Sequence, residues 1–392
     1  MIPLMKNPFM HVSRTKEELA SFILRTNRFS MGPECRKFEE RFAQAQGARE
    51  ATLFNSGGSA NLAMLQALVN LGRLKQGDRV GFSALTWSTN VMPMFQLGLI
   101  PVPIDCTPTT LNVMKKDILT RLAEVDLTAV FITNAMGFTG DLVEIRDLCR
   151  ERGIILLEDN CEALGTALPG GLKSGSFGVM ASFSFFIAHH MSTVEGGMVC
   201  TDDDELVEML RMVRANGWDR NLTAAQQRKW RKKYGIHSEF LAKYTFYDLG
   251  YNVRPTEITG FLGCCQLAYL KETVAARERI YEHLAKVSAK NPDLVDLDRS
   301  HIDVLSCFCF PVLCKTAELR DTYLAQFSGA GVEVRPMIAG NIQNQPFYSK
   351  YAERRYDLPG TDFIDTCGFY CGNYPELTEA DLEVLASCLE KY

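Results

Sequence analysis

Ser182-Phe183-Ser184-Phe185-Phe186-Ile187-Ala188-His189-His190-Met191-Ser192-Thr193-Val194-Glu195-Gly196-Gly197 alternates small and aromatic residues at first, as a buried strand does. It then breaks into two adjacent imidazoles and a turn closed by paired glycines, which presents reactive groups at a strand end. Upstream, short apolar runs at 79–82, 100–104, 129–133 and 154–157 are separated by helix-like segments such as 142–152. Apolar runs without alternation, spaced by helices, predict an α/β architecture: a mainly parallel central sheet covered by helices. Ligands of such sheets sit beyond the carboxyl ends of the strands, so polar residues just after each run become the candidates.

Downstream, a helical pattern from 258 to about 289 reads as one long bridging helix. Beyond it, 307–313 and 332–335 read as strands, and 317–327 and 380–391 as helices, of a smaller C-terminal α+β domain. The chain thus divides into residues 1–255, an N-terminal segment with a large domain, and 256–392, the bridging helix with the small domain.

With 392 residues there is ample chain for a large core. A net charge of −5 argues against nucleic acid as the main partner, because that binding rests on clustered Lys and Arg neutralising phosphates. No window approaches eighteen apolar residues, and the opening Met1-Ile2-Pro3-Leu4-Met5-Lys6-Asn7-Pro8 lacks the apolar core of a signal peptide. The reading is therefore a cytoplasmic protein without a membrane partner. The 13 cysteines are scattered, which does not suit a disulfide framework in a chain of this size. Cys264-Cys265 and the group Cys307, Cys309 and Cys314 are close enough in sequence to raise a metal or cluster. However, Cys307-Phe308-Cys309-Phe310 alternates as a strand does, and free cysteine is a small core residue, so no metal site is assigned.

Four segments carry candidate chemistry, each with a plainer alternative. Asn55-Ser56-Gly57-Gly58-Ser59-Ala60-Asn61 lies between a short strand at 51–54 and a helix, which aims free backbone N–H groups at an anion; an N-cap by Ser56 or Ser59 is the alternative. Trp87 follows the run at 79–82 and is either a stacking platform or part of the core or rim. Asp159 and Glu162 follow the run at 154–157, where Asp159 is also a candidate helix cap. Histidines such as His189 and His190 are as readily hydrogen-bonded structural residues or metal ligands as catalysts, but on a continuing strand they would face opposite ways and chelate poorly together. The basic run Gln227-Arg228-Lys229-Trp230-Arg231-Lys232-Lys233 is either a solvated surface or a lure for a dianionic ligand.

Taken in order, these segments resemble the vitamin-B6-dependent sugar aminotransferase and dehydratase family, which has the fold type I architecture. The likeness runs from Phe29-Ser30-Met31-Gly32-Pro33 to Gly372-Asn373-Tyr374-Pro375. It implies a cofactor-binding large domain and pyridoxal or pyridoxamine 5′-phosphate as cofactor. Gly57, Gly58, Ser59 and Ser184 would lie at the cofactor phosphate, Trp87 on the ring, Asp159 at the pyridine nitrogen and Glu162 near the ring hydroxyl. Gly250-Tyr251-Asn252-Val253-Arg254-Pro255 resembles the motif whose asparagine reaches the phosphate of the neighbouring subunit, which implies a homodimer with Asn252 in that role.

Where the aminotransferases carry the lysine of the internal Schiff base, this chain has His189, and a histidine has no amine to condense with an aldehyde. Lys173, the nearest lysine upstream, lies in a glycine-rich loop that nothing aims at the cofactor. The replacement, followed by Glu195-Gly196-Gly197, resembles the 3-dehydratases that make 3,6-dideoxy sugars. One branch carries an iron–sulfur cluster on cysteines shortly after the position of Trp218. No cysteine stands between Cys200 and Cys264, so no such cluster is expected. The resemblance is to the other branch, which implies a nucleotide-linked 4-keto-6-deoxyhexose as substrate, GDP-linked in the first instance, glutamate as amino donor, and His189 as the catalytic base. An aminotransferase using another base, and a non-catalytic cofactor- or sugar-nucleotide-binding protein, remain as alternatives. Ala188 and Asn216 depart from the residues expected at their positions and leave the sugar open.

Overall fold

The computed structural model describes residues 1–391. Helices α1 (Val12–Arg25) and α2 (Pro33–Gln46) precede β1 (Glu50–Phe54) and α3 (Gly57–Asn70); then come β2 (Arg79–Ser83), α4 (Met92–Gln96), β3 (Ile100–Ile104), α5 (Lys115–Leu122), β4 (Ala129–Thr133), α6 (Leu142–Arg152) and β5 (Ile155–Asp159). A two-stranded hairpin of β6 (Ala167–Leu168) and β7 (Leu172–Lys173) leads to β8 (Met180–Ser184), β9 (Gly197–Thr201), α7 (Asp204–Val213), α8 (Ala224–Lys233) and α9 (Glu239–Ala242). The remainder is α10 (Glu257–Leu267), α11 (Leu270–Ser288), β10 (Cys309–Leu313), α12 (Ala317–Gly329), β11 (Val334–Pro336), α13 (Pro346–Tyr351), α14 (Pro359–Cys367), β12 (Gly368–Gly372) and α15 (Glu379–Leu389).

Seven strands form one sheet in the order β1-β9-β8-β5-β4-β2-β3. From β8 through β3 the neighbours are parallel, and β9 runs antiparallel to both β1 and β8. The sheet is therefore mainly parallel, as its unbroken apolar runs imply. Strand alternation divides the core: Ala129 and Phe131 of β4 join one cluster with Phe54, Phe82 and Met180, whereas Val130 and Ile132 join another with Phe310, Val312 and Phe369. The second cluster is continuous with the small antiparallel sheet β10-β12-β11, so the two sheets share apolar packing. Across the expected division at 255, the amino terminus reaches the small sheet: Ile2 pairs with Val332, and the Leu4 N–H donates to Glu333 at 3.0 Å.

Three expectations need correction. The single helix expected over 258–289 is two, broken at Ala268 and Tyr269. α10 packs tightly on α2, where a Cβ at Gly263 would lie 2.3 Å from the Phe38 ring, while Tyr269 turns aside to meet the His11 ring at 4.6 Å. The strand expected from Cys307 begins at Cys309, although the sulfurs of both cysteines contact Met136, at its carbonyl and its sulfur respectively. Lys173, expected in a glycine-rich loop, lies instead in β7, paired with Ala167, of the hairpin that Pro169–Gly171 closes.

The basic run lies in α8, where two of its five cations are paired, Arg231 with Asp219 at 2.7 Å and Lys229 with Glu208 at 3.2 Å. No helix among the described residues is long and apolar enough to cross a membrane.

Candidate active site

Register places the carboxyl ends of β4, β5 and β8 side by side, with Thr133 opposite Asp159 and Asp159 opposite Ser182. At this edge lies a cleft of about 480 Å³. Of the residues expected from the sequence, Gly57, Gly58, Trp87, Asp159, Glu162, Ser184 and His189 all line it. Ser59 is not a wall residue; its N–H is capped by Ser56 Oγ at 3.1 Å, and Ser56 takes its place in the lining. A larger cavity of about 750 Å³ lies against α2; three of the six arginines in its wall are paired with carboxylates, Arg49 with Asp204, Arg211 with Glu50 and Arg214 with Glu39.

Asp159 is fixed from three sides. Asn61 and Asn90 donate to Oδ2 at 2.9 and 2.8 Å, and the Cys161 N–H donates to Oδ1 at 2.9 Å. No helix follows, so the carboxylate closes a local turn rather than capping a helix. Glu162 accepts the Met136 N–H at 2.8 Å, and burial, with a smaller contribution from the Asp159 charge, raises its carboxyl to about 7. The neighbouring Glu158 points the other way and binds the N–H groups of Gly175, Phe177 and Gly178, which makes it a structural pin.

β1 ends beside the start of β9, with Phe54 opposite Gly197. A Cβ at Gly197 would lie 2.2 Å from the Ser56 carbonyl, so glycine lets the two chains cross here. α3 then begins at Gly57. The first N–H groups of a helix have no acceptor within it, and here they open onto the cleft from Gly57 and Gly58. A Cβ at Gly57 would sit 2.7 Å from Ser184 Cβ and 3.0 Å from its Oγ. The glycine and the serine thus shape one small seat for an anion at the positive end of the helix.

His189 lies in the turn after β8, 5.2 Å from the Phe308 ring centre and 6.3 Å from that of Phe186. Burial and the Arg277 cation outweigh the attraction of Asp159 and bring the imidazole down to about 4. It is therefore neutral at physiological pH and able to accept a proton. His190 faces away, with Nε2 2.9 Å from the Ser306 carbonyl, so the two imidazoles do not converge on a shared metal. Trp87 stands at the rim with 55% of its surface exposed. Among the described residues no lysine lines the cleft, and Lys173, on the hairpin, donates to the Ala45 carbonyl of α2. Asn252 is exposed outside the cleft of its own chain, where its Oδ1 accepts from Arg254 at 3.0 Å.

Sequence reasoning missed Thr89, Glu195, Phe308, Ile338 and Tyr370, all wall residues, and the Asn61–Asn90 pair that orients Asp159. Asn61 lay inside a segment already singled out and Thr89 stands two residues after Trp87; Phe308, Ile338 and Tyr370 come from the small domain and have no local signal.

These residues fit a pyridoxal cofactor. Only glycine at 57 leaves room beside Ser184 for a phosphate, Trp87 offers an uncovered ring face, and the Asp159 carboxyl is held in one orientation, as a partner for a pyridine nitrogen would be. Comparison with known proteins agrees: residues 12–390 match the DegT/DnrJ/EryC1/StrS aminotransferase family. The chain belongs to that family.

Within it, the chain is 32% identical to the GDP-4-keto-6-deoxy-D-mannose 3-dehydratase of Escherichia coli O55:H7, over 90% of each chain. It is 30% identical, over 93% of its own length and 81% of the relative's, to the dTDP-4-dehydro-2,6-dideoxy-D-glucose 3-dehydratase of Saccharopolyspora spinosa. A crystal structure of GDP-4-keto-6-deoxymannose-3-dehydratase with a trapped PLP-glutamate geminal diamine superposes with a TM-score of 0.90 at 30% identity, covering all of both chains.

Proposed function

We propose that the chain is a pyridoxal/pyridoxamine phosphate-dependent 3-dehydratase. It removes the C3 hydroxyl of a nucleotide-linked 4-keto-6-deoxyhexose to give a 4-keto-3,6-dideoxy sugar, with glutamate as amino donor. The Escherichia coli relative is named for a GDP-linked sugar and the Saccharopolyspora spinosa relative for a dTDP-linked one; GDP is the nucleotide we assign, and the cytoplasm is where we place the reaction. One observation carries the reading: a neutral imidazole, His189, stands in a cleft that no lysine lines.

When bound, the cofactor supplies an amine for the C4 ketone and a ring that accepts electrons. The residues of the chain do the rest. Gly57, Gly58 and Ser184 hold the phosphate, Trp87 covers the ring face, and the Asp159 carboxylate keeps the ring nitrogen protonated by its charge. His189 removes the proton at the reacting carbon and returns one to the departing C3 hydroxyl, so that it leaves as water. Phe186 and Phe308 flank the imidazole and limit water at the base. Glu162, poised near neutrality, holds or releases a proton beside the ring hydroxyl. A lysine at 189 would capture the aldehyde and favour amino transfer.

The test is an absorbance spectrum of the purified protein with pyridoxal phosphate, taken before and after borohydride and then after glutamate. Conversion from the aldehyde to the amine form with no lysine adduct is expected; a borohydride-fixed adduct would mean that another lysine acts and that the aminotransferase reading leads. His189→Lys should gain amino-sugar formation and lose dehydration, measured by mass spectrometry of the products. Unchanged dehydration in that variant sinks the role of His189.

A further inference from the structure

Tyr370 lies on β12, the central strand of the small sheet, opposite Pro311 on one side and Arg335 on the other. Its neighbours Phe369 and Cys371 are buried in the core, so strand alternation turns Tyr370 to the opposite face, where it joins the wall of the cleft. There its ring centre is 6.4 Å from that of Phe308, which is itself 5.2 Å from His189. Among the described residues the Tyr370 hydroxyl has no hydrogen-bond partner, yet, unlike the Tyr348 hydroxyl, it is not sealed from solvent. Burial, with Cys309 and Glu162 adding to it, raises the phenol above its ordinary value, so it is a neutral group that can donate. One free donor beside the apolar Phe308 and Ile338 is the make-up of a ligand pocket, in which a few polar groups on an apolar wall fix orientation.

The chemistry of the cleft narrows what that donor can meet. Its wall holds the carboxyls of Asp159, Glu162 and Glu195 and, among the described residues, no lysine or arginine, so the part of a sugar nucleotide that suits it is the uncharged sugar rather than the diphosphate. A nucleotide-linked 4-keto-6-deoxyhexose carries the nucleotide at C1, the ketone at C4 and a methyl at C6, which leaves hydroxyls at C2 and C3 alone. The C3 hydroxyl is the one that departs with a proton from His189. We propose that Tyr370 is a specificity-determining residue that donates a hydrogen bond to the C2 hydroxyl of the sugar. The inference rests on the reading of the chain as a 3-dehydratase of such sugars. A sugar that fills the cleft strips water from the phenol, and one without a C2 hydroxyl leaves the phenol unpaired, so the site selects the 2-hydroxy sugar.

The test supplies the cofactor-loaded parent and Tyr370→Phe with a GDP-linked 4-keto-6-deoxyhexose and with its 2-deoxy counterpart, and follows consumption and products by mass spectrometry. Removing either the phenol oxygen or the C2 hydroxyl should lower kcat/KM about tenfold, and removing both should lower it no further. Conversion of the aldehyde form of the cofactor to the amine form by glutamate, read by absorbance without sugar, should stay within about twofold of the parent, since that step does not use the contact. An equal loss on both sugars, no loss on either, or a slowed glutamate step overturns the role of Tyr370. An amino sugar as product, with the same pattern of losses, would instead sink the dehydratase reading and leave the contact standing.

Discussion

At the scale of the residue, the neutrality of His189 has a measurable cost in acid. Its imidazole sits near 4 in the folded chain against an ordinary value near 6.5, so the unfolded chain takes up the proton first as pH falls. The stability contributed by keeping the ring neutral is fully present above about pH 6.5 and is lost as pH falls toward 4, at up to about 1.4 kcal/mol per pH unit. That slope is an upper bound, because the cleft leaves the ring partly open to solvent. His190 is pushed in the same direction by burial. Urea unfolding of His189→Asn without cofactor should therefore lose stability less steeply between about pH 6.5 and 4.5 than the parent, with His190 supplying the remaining slope. Identical slopes would mean that the ring titrates alike in the folded and the unfolded chain. These residues were legible in the sequence because each stands at the end of an apolar run, where a parallel sheet presents its ligands; Phe308 and Tyr370 were not, because only tertiary packing brings them over the cleft.

At the scale of the element, the start of α3 is where sequence and function meet most closely. Strand β1, the crossing at Gly197 and the first helical turn fix the direction of the helix axis, and with it the N–H groups at Gly57 and Gly58. The 2.7 Å approach of a Cβ at 57 to Ser184 Cβ means that Gly57→Ala must push Ser184 away from the same seat. We expect at least about tenfold weaker uptake of pyridoxal phosphate, or roughly 1.4 kcal/mol, read by titration of the absorbance. Gly329→Ala in α12, where a Cβ meets nothing within 4 Å, should leave uptake unchanged. Equal uptake by Gly57→Ala and the parent would remove the phosphate from this helix. The parallel strands were readable from their apolar runs, and α6 from its periodicity. The antiparallel placement of β9 and the break between α10 and α11 were not, since both are set by what lies across the fold: β1 on one side of β9, and α1 and α2 against α10.

At the scale of the whole molecule, one expected site residue lies away from the cleft of its own chain. Asn252 is exposed and paired with Ala215, and the adjoining surface carries Phe240, Tyr244 and Leu249 at 77%, 73% and 70% exposure, near Trp218 with Arg220 stacked 3.9 Å over its ring. So much exposed apolar surface on one side calls for a cover, and we propose a two-fold partner that brings its own Asn252 to the facing phosphate seat. Sedimentation should then give twice 43.9 kDa. A sharper test uses two inactive variants, His189→Asn and Asn252→Asp, unfolded together and refolded as a mixture. If each site draws its base from one chain and its asparagine from the other, a mixed dimer has one site with both defects and one with neither. Half of the dimers are mixed, so about a quarter of the parent dehydratase activity should return. If both residues served the site of their own chain, each subunit would carry one defect however it was paired, and the mixture would stay as inactive as its parents.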